Sequence, residues 1–322
     1  MQDNLVERKK SQELFENIEQ IEKRKKIDPS EILDICDRII EVDPEHAQAY
    51  AKRSKYLYGR CDYSLALRDI NRAIDLGFKT AETYYLRATC YAIIGNKEAE
   101  FMSDIKSVIK LDPRHPQANR IMGNYYYDRG YEPDAYKHFS EAIDNKVSDA
   151  IVFFRRGTIN MNNGRYEHAI VDFMDSQKCN PSYALTYYLR ANCYYEIGAL
   201  DRALKDYESA NFVDVHSPDP YYKMGCVYYD KGDFDNSVKN FTMLINLLPD
   251  SETGYYSRGI SWLAKNDFEA ATADFEQALS INANDAATCY LLSQSYLGQG
   301  NEELGKKCYE QALSLGYEPK ED

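Results

Sequence analysis

The residues of this chain with the chemistry to bind a metal or act as nucleophiles are five histidines and eight cysteines. No two histidines form an H-x-x-x-H pair and no two cysteines form a C-x-x-C, so neither set has the spacing of a metal site. The G-x-G-x-x-G and G-x-S-x-G motifs do not occur. The sequence therefore predicts no enzyme activity, no metal and no cofactor, and we expect the cysteines to be small packing groups.

The composition is acidic, with 39 Lys and Arg against 52 Asp and Glu and a formal net charge of −13 over 322 residues. Binding to phosphates needs clustered basic residues, which argues against nucleic acid and anionic membrane surfaces as partners. The amino terminus, MQDNLVERKK, is charged, and no later run of 18 apolar residues follows it. We therefore predict no signal peptide, no membrane insertion and a cytoplasmic location.

Two nearly identical segments, YYLRATCYAIIG and YYLRANCYYEIG, begin at Tyr84 and Tyr187. They belong to a unit that recurs every 34 residues, with one step of 35. When one small residue is numbered position 8, the eight copies are anchored at Ser54, Ala88, Gly123, Gly157, Ala191, Gly225, Gly259 and Ser293. Glycine recurs at position 15, small residues at 20 and 27, and a ring or branched residue at 24. Each unit is thus predicted to form two antiparallel helices that bury their apolar faces by stacking on neighbouring units.

The pattern of small-8, Tyr-11, Gly-15, Ala-20, Phe-24, Ala-27 and Pro-32 resembles the tetratricopeptide repeat family. The resemblance implies an all-α, right-handed superhelical solenoid of antiparallel helix pairs over residues 47–317. Residues 1–46 carry helical apolar stripes that include Ile18, Ile32 and Ile39, and we predict a degenerate capping repeat there. Residues 318–322 are predicted to be a carboxyl-terminal tail.

Some units depart from the pattern. The second unit has one extra residue, and Glu100 stands at position 20, where alanine is usual. We expect a local bulge or a shift of helix packing there. The first and third units end without proline, so their connecting turns are predicted to differ.

An internal covariation connects the two helices of a unit. Position 7 is arginine in five units, and in the same five the residue before the position-24 side chain is aspartate. The pairs are Arg53 with Asp69, Arg87 with Asp104, Arg156 with Asp172, Arg190 with Asp206, and Arg258 with Asp274. The other three units have Met122 with His138, Met224 with Asn240, and Leu292 with Cys308. We predict a half-buried ion pair within each of the five units, which makes these arginines poor candidates for ligand binding.

In the family that this sequence resembles, positions 2, 5, 9 and 12 of the first helices line a concave groove. The predicted peptide-binding residues are Arg120, Asn124, Tyr127, Phe154, Thr158, Tyr188, Asn192, Tyr195, Tyr222, Tyr229 and Tyr256. Asn124 and Asn192 are the preferred candidates because packing does not require an amide at position 9. About half of the rings are expected to belong to the scaffold. Acidic groove residues such as Asp219 and Asp230 favour a basic ligand, with plain solvation as the alternative.

These patterns predict a non-catalytic adaptor or scaffold that holds a peptide segment of a partner protein in its concave groove. Two alternatives stay open. In the first alternative, the protein is a sensor of a peptide or small ligand. In the second, it is a structural subunit that assembles through its convex face or its ends. The sequence does not determine the partner or the oligomeric state.

Overall fold

The computed structural model describes residues 2–24, 28–95 and 97–318, with side chains from residue 6 onward. These residues form eighteen α-helices and no strand, which confirms the all-α class. The helices are α1 (Gln2–Glu22), α2 (Pro29–Val42), α3 (Ala47–Gly59), α4 (Tyr63–Asp75), α5 (Ala81–Ile94), α6 (Glu98–Leu111), α7 (Pro116–Tyr127), α8 (Glu132–Asp144), α9 (Ala150–Asn162), α10 (Tyr166–Cys179), α11 (Ala184–Glu196), α12 (Leu200–Val213), α13 (Asp219–Asp230), α14 (Phe234–Leu247), α15 (Glu252–Ala264), α16 (Phe268–Ile281), α17 (Ala286–Gly298) and α18 (Glu302–Ser314).

The chain divides into two compact units, residues 1–148 with α1–α8 and residues 149–322 with α9–α18. Within each unit every helix packs on the helix before it and the helix after it, as in a helical solenoid. The boundaries predicted at residues 46 and 317 stay predictions. Of the predicted tail at 318–322, only Glu318 lies within the described residues.

The predicted apolar stripes of the amino-terminal residues lie on α1 and α2. Asp28 caps α2 by accepting a hydrogen bond from the Ser30 backbone N–H at 2.9 Å. Ile18, Ile32 and Ile39 are fully buried in one apolar cluster between α1, α2 and α3. Helix α1 begins at Gln2 and is longer than its short apolar stripe indicates.

Position 15 ends each first helix of the eight repeats with a left-handed residue. Six repeats have glycine there, with φ between 70° and 83°. In the other two repeats, Cys61 and Asn266 adopt the same conformation, with φ of 66° and 58°. The connecting turns of the first and third repeats differ from the others as predicted, because Gly77 and Lys146 take positive φ there.

The choice of residue at position 8 follows the residue at position 24. Where position 24 is phenylalanine, position 8 is glycine, because the ring lies against the glycine backbone. A Cβ added to Gly123 would lie 2.5 Å from the Phe139 ring, and one added to Gly225 would lie 2.6 Å from the Phe241 ring. Isoleucine or tyrosine at position 24 accompanies alanine or serine instead. Sequence analysis identified the small position but not this dependence.

The extra residue of the second repeat lies in the turn between α5 and α6. Arg87 and Asp104 are 17 residues apart, whereas the partners of the other four arginine–aspartate pairs are 16 apart. Helix α6 runs without interruption, so of the two predicted outcomes the structure has the shift of helix packing and no bulge within the helix. The shift moves Phe101, not Glu100, into the position usually held by alanine, where it packs in the cluster of Ala88. Glu100 is exposed.

The predicted arginine–aspartate pairs are confirmed in all five repeats that carry them. Arg190 donates from Nε and Nη2 to the two Asp206 oxygens at 2.6 and 2.8 Å, with each side chain only about one-tenth exposed. The other four pairs make the same two-point contact, with shortest N–O distances of 2.5 to 2.7 Å. Burial alone would lower the pKa of Arg190, but the hydrogen bond to Asp206 raises it overall.

Four of these arginines also contact a third helix, which the sequence did not indicate. Their Nη1 atoms donate to the second helix of the preceding pair, at distances of 2.6 to 3.1 Å. The contacts are Arg53 to Asp37, Arg87 to Asn71, Arg190 to Gln177 and Arg258 to Thr242. Each of the four guanidinium groups also lies 5.5 to 5.7 Å from the ring of the tyrosine three residues earlier. One side chain thus joins two neighbouring repeats.

Candidate peptide-binding surface of the first helices

The position-5 rings of the second compact unit, residues 149–322, form a regular column. Each lies over the position-24 ring of its own repeat, with centroids 5.8 to 6.3 Å apart and the planes inclined. The ring pairs are Phe154 with Phe173, Tyr188 with Tyr207, Tyr222 with Phe241, Tyr256 with Phe275, and Tyr290 with Tyr309. All five position-5 rings are partly exposed. Each ring therefore packs on the core and keeps part of its surface exposed. Two of them have a further ring contact, because Phe154 also packs on Tyr183 at 5.0 Å and Tyr290 stacks on Tyr317 at 4.3 Å between centroids.

Packing does require Asn192, contrary to the sequence-based expectation. The Tyr207 ring is fully buried, and its hydroxyl donates to Asn192 Oδ1 at 2.6 Å. Burial raises the pKa of Tyr188, and a hydrogen bond from Asn192 opposes that rise. The amide of Asn192 thus satisfies a buried hydroxyl. The hydrogen bond with Tyr207 therefore gives Asn192 a structural role, ahead of the predicted contact with a peptide backbone.

Tyr195 and Tyr229 occupy position 12 of α11 and α13. The Tyr195 hydroxyl donates to Asp230 Oδ2 at 2.5 Å, which links the ends of the two first helices. This hydrogen bond, with burial, raises the pKa of Tyr195 to about 12. Tyr229 is exposed and packs on Phe234 at 5.4 Å between centroids. Asp230 is therefore engaged by a tyrosine and is a weaker candidate for a basic ligand.

The remaining predicted residues lie on α7 and α9, and each of these helices belongs to a different unit. On α7, Arg120 Nε donates to Gln117 at 2.8 Å, and Asn124 follows one turn later. The Tyr127 ring lies 6.3 Å from Phe139. On α9, the Thr158 hydroxyl donates to the Phe154 carbonyl at 3.0 Å.

An apolar recess adjoins Tyr188 on α11. Its volume is about 140 Å³, and Leu185, Tyr188 and Pro220 form its apolar wall. Asp214 and Asp219 line the same recess. Leu185 is 42% exposed although it lies one turn before Tyr188 on the same helix face. A side chain that combines an apolar stem with a positive end fits such a lining.

The acidic residues are unevenly distributed along the chain. Residues 149–322 carry 26 Asp and Glu against 15 Lys and Arg, a net charge of −11, whereas residues 1–148 have a net charge of −2. The internal ion pairs of Arg156, Arg190 and Arg258 each take up one aspartate as well, so they leave this net charge unchanged. The surface of the second unit is therefore the more strongly anionic one.

A larger recess in the first unit was missed by sequence reasoning. It has a volume of about 630 Å³ and lies between α1, α3 and α5, over α4. Its lining residues are Phe15, Glu19, Gln48, Ala51, Lys52, Lys55, Tyr58, Ile70, Phe78, Thr80, Glu82, Thr83, Tyr85, Leu86 and Thr89. The signal was present in the sequence, because Ala51 stands at position 5, where most of the other units have a ring.

The cysteines fit their predicted role in part. Four are buried and two are partly buried, and burial raises the pKa of the Cys36 and Cys193 thiols to about 12. Cys61 and Cys179 are exposed, so the packing prediction is wrong for these two. Within the described part of the chain, no three histidine, cysteine or acidic side chains meet as metal ligands. None of the described helices has the length and apolar character that a membrane crossing requires.

The segment GNEELGK at 300–306 has the glycine and lysine spacing of a phosphate-binding loop, but it lacks the following Ser or Thr. Asn301 caps α18, which already begins at Glu302, so most of the segment is helical. The backbone N–H groups of this segment are used within the helix and do not form a phosphate cradle.

Two stretches of the chain, residues 222–287 and 286–315, match family descriptions of the tetratricopeptide repeat. Tetratricopeptide repeat protein 16 from Mus musculus is 26% identical over 147 residues, which is 42% of this chain and 19% of that protein. Serine/threonine-protein phosphatase 5 from Homo sapiens is 32% identical over 106 residues, or 30% of this chain and 21% of that protein. The matched part is thus about a fifth of the length of each relative.

Among solved structures, the carboxyl-terminal part of a TPR repeat-containing protein from Cytophaga hutchinsonii superposes with a TM-score of 0.50 at 17% identity. The match covers 82% of this chain and 94% of that chain. At this level of identity the likeness concerns the fold alone. The matched family descriptions cover residues 222–315, and they and the named relatives support a tetratricopeptide repeat protein.

Proposed function

We propose that this protein is a non-catalytic scaffold whose second unit binds an extended segment of a partner protein along its first helices. The observation that carries the proposal is the column of partly exposed rings, one per repeat, from Phe154 to Tyr290. Aromatic side chains bury a large area on binding and lose little rotational freedom. A repeating column suits an extended segment, whose side chains recur at regular intervals.

The charge of the second unit indicates the chemistry of the segment. Its net charge is −11, and Asp219 beside Tyr188 makes no salt bridge among the described residues. A segment that alternates apolar side chains with Lys or Arg would match both the rings and the carboxylates. We include a cytoplasmic location in this proposal, since the buried cysteines are free thiols.

The test uses Leu185, which is exposed on the proposed binding face and is not part of the core. Peptides would first be selected from a random twelve-residue library displayed on phage, with the full chain as bait. Leu185→Arg places a positive charge against the basic segment. We expect the Kd of the selected peptides to rise by about tenfold or more, which is the loss seen when a central contact is removed. Isothermal titration calorimetry measures the Kd.

The matched control is Val171→Arg on the second helix α10, where the side chain is also exposed. It adds the same charge away from the first helices and is expected to leave the Kd unchanged. An equal loss for both variants would indicate a nonspecific charge effect, and no loss for Leu185→Arg would contradict binding on this face.

A second candidate function, a structural subunit that assembles through another surface, is favoured by Phe212. This side chain is 88% exposed at the end of α12, near Val215, which is 57% exposed. Large exposed apolar side chains that cluster mark interaction surfaces. Sedimentation equilibrium of the full chain and of Phe212→Ser tests the idea: self-association that the substitution abolishes supports assembly, and a monomer in both cases contradicts it.

A further inference from the structure

At the recess of the first compact unit, the pair α3–α4 lacks two rings that the later repeats have. Position 5 holds Ala51 and position 24 holds Ile70, whereas every repeat of the second unit has a ring at both positions. Ile70 is fully buried, and it lines the bottom of the recess together with Phe78 and Leu86. The recess, with a volume of about 630 Å³, lies next to Ala51.

The lining of the recess is suited to one more ring. Phe15, Tyr58 and Tyr85 contribute aromatic walls from α1, α3 and α5, so an inserted ring meets rings on several sides. In the second unit the equivalent place is taken by a side chain whose ring lies about 6 Å from the ring at position 24. The protein's own repeats therefore show what fills this space when Ala51 is replaced by an aromatic residue.

The rim of the recess is polar. Lys52 donates to Glu22 at 2.9 Å and is neutralised by it, whereas Lys55 makes no salt bridge among the described residues. Glu82 and Gln48 lie on the same rim. A ring with a polar end, such as that of tyrosine, can bury its apolar body and direct its hydroxyl to these groups.

We propose that this recess is an anchor site for one aromatic side chain, of the tyrosine type, carried by a segment of a partner protein. The lining comes from positions 2, 5, 9 and 12 of α3 and α5, which are the positions that carry the proposed binding face in the second unit. The inference rests on the proposed function, since it assumes that first helices bind protein segments, and it adds a site and a side-chain class.

The first measurement detects the ring directly. p-Cresol, the side-chain analogue of tyrosine, is titrated into the full chain with 13C-labelled isoleucine methyl groups. We expect a saturable shift of the Ile70 methyl resonance, because a ring bound in the recess lies next to it. Ala51→Phe fills the recess with the chain's own ring and is expected to abolish the shift. Ala283→Phe, in the exposed turn between α16 and α17, is the matched control and should leave the shift intact.

The second measurement asks whether partner segments use the site. Peptides selected from the random library by the full chain are expected to contain an aromatic residue and to bind Ala51→Phe at least about tenfold more weakly, while Ala283→Phe binds normally. Ala51→Leu fills the recess with a smaller side chain and serves as a second variant if Ala51→Phe does not fold.

The outcomes separate the two proposals. Peptides that bind Ala51→Phe as well as the unmodified chain but fail to bind Leu185→Arg would overturn the anchor site and leave the proposed function standing. An unchanged Ile70 resonance in p-cresol would overturn the anchor site by itself. Failure of the library to yield any binder would overturn both.

Discussion

The helix pairs α3–α4 and α11–α12 share one internal contact and differ in what lies next to it. Both pairs are joined by a two-point arginine–aspartate contact, Arg53 with Asp69 and Arg190 with Asp206. Beside that contact, α3–α4 has Ala51 over Ile70 and an open recess, whereas α11–α12 has two tyrosine rings packed at an inclined angle. The polar contact holds the helices in register, so the neighbouring positions are free to shape the surface.

The largest expected effect breaks the shared contact. Asp206→Ala leaves the nearly buried Arg190 guanidinium without its partner, and we expect the free energy of unfolding to fall by about 3–5 kcal/mol. Urea unfolding of the full chain, followed by circular dichroism, measures the loss. The equivalent contact Arg258 with Asp274 predicts a similar loss for Asp274→Ala.

The control for this prediction is a residue combination that another repeat of this chain has at the same two positions. Arg190→Met with Asp206→Asn reproduces the combination Met224 with Asn240 that the α13–α14 pair uses. We expect the double variant to recover most of the stability, because no charge is left buried and unpaired. A stability of Asp206→Ala equal to that of the unmodified chain would contradict the assigned role of the contact.

The next effect sharpens the difference between the two pairs. Asn192→Ala leaves the buried Tyr207 hydroxyl without its acceptor, and we expect a loss of about 1–3 kcal/mol. The same urea experiment detects it. Adding Tyr207→Phe removes the stranded hydroxyl and should restore part of the loss. If Asn192→Ala were neutral, the amide would be available for a ligand, as the sequence alone suggested.

The sequence predicted the features that depend on contacts within one repeat. The position-15 glycines, the apolar stripes of α1 and α2 and the five ion pairs recur at fixed spacing, so comparison among copies identifies them. The third contact of four of these arginines was missed because it involves the preceding helix pair, where the acceptor is Asp37, Asn71, Gln177 or Thr242.

Single departures from the repeat were harder to interpret than the repeat itself. Glu100 was placed at position 20 because the extra residue was not assigned to the turn, where it leaves α6 intact. Asn192 was taken for a ligand-binding residue because its partner, the hydroxyl of Tyr207, occurs where most repeats have no hydroxyl. Ala51 was visible as an exception, but the recess depends on three helices that the sequence does not place.

A smaller effect concerns α7–α8, the first-unit pair that lacks the ion pair. His138 Nδ1 lies 2.7 Å from Asn119 Oδ1, and burial, with Lys137, lowers the pKa of His138. The unfolded chain has an ordinary histidine pKa of about 6.5, so it takes up a proton that the folded state resists. Stability is therefore expected to fall as the pH drops from 7.5 through 6.5 toward the folded pKa.

The measurement is the urea midpoint as a function of pH, compared with that of His138→Gln. The glutamine variant keeps a hydrogen-bond donor but has no charge to gain, so its midpoint should change less over this range. An identical pH dependence in both proteins would assign the effect to other groups.

The smallest effect is expected at the exposed salt bridge between Lys231 and Asp201. Asp201 is 88% exposed, so water and salt screen the pair. Asp201→Ala should leave the urea midpoint unchanged, in contrast to Asp206→Ala on the same helix. A large loss would show that exposed contacts between repeats contribute as much as the buried ones.

The most direct test of the central claim, that the first helices carry the binding surface, is a methyl NMR map of the full chain with the tightest library peptide bound. The account predicts the largest shifts at Ile151 and Leu185, which are exposed on the first helices of the second compact unit. Shifts confined to Val171 and Met174, on the outer side of α10, would contradict it.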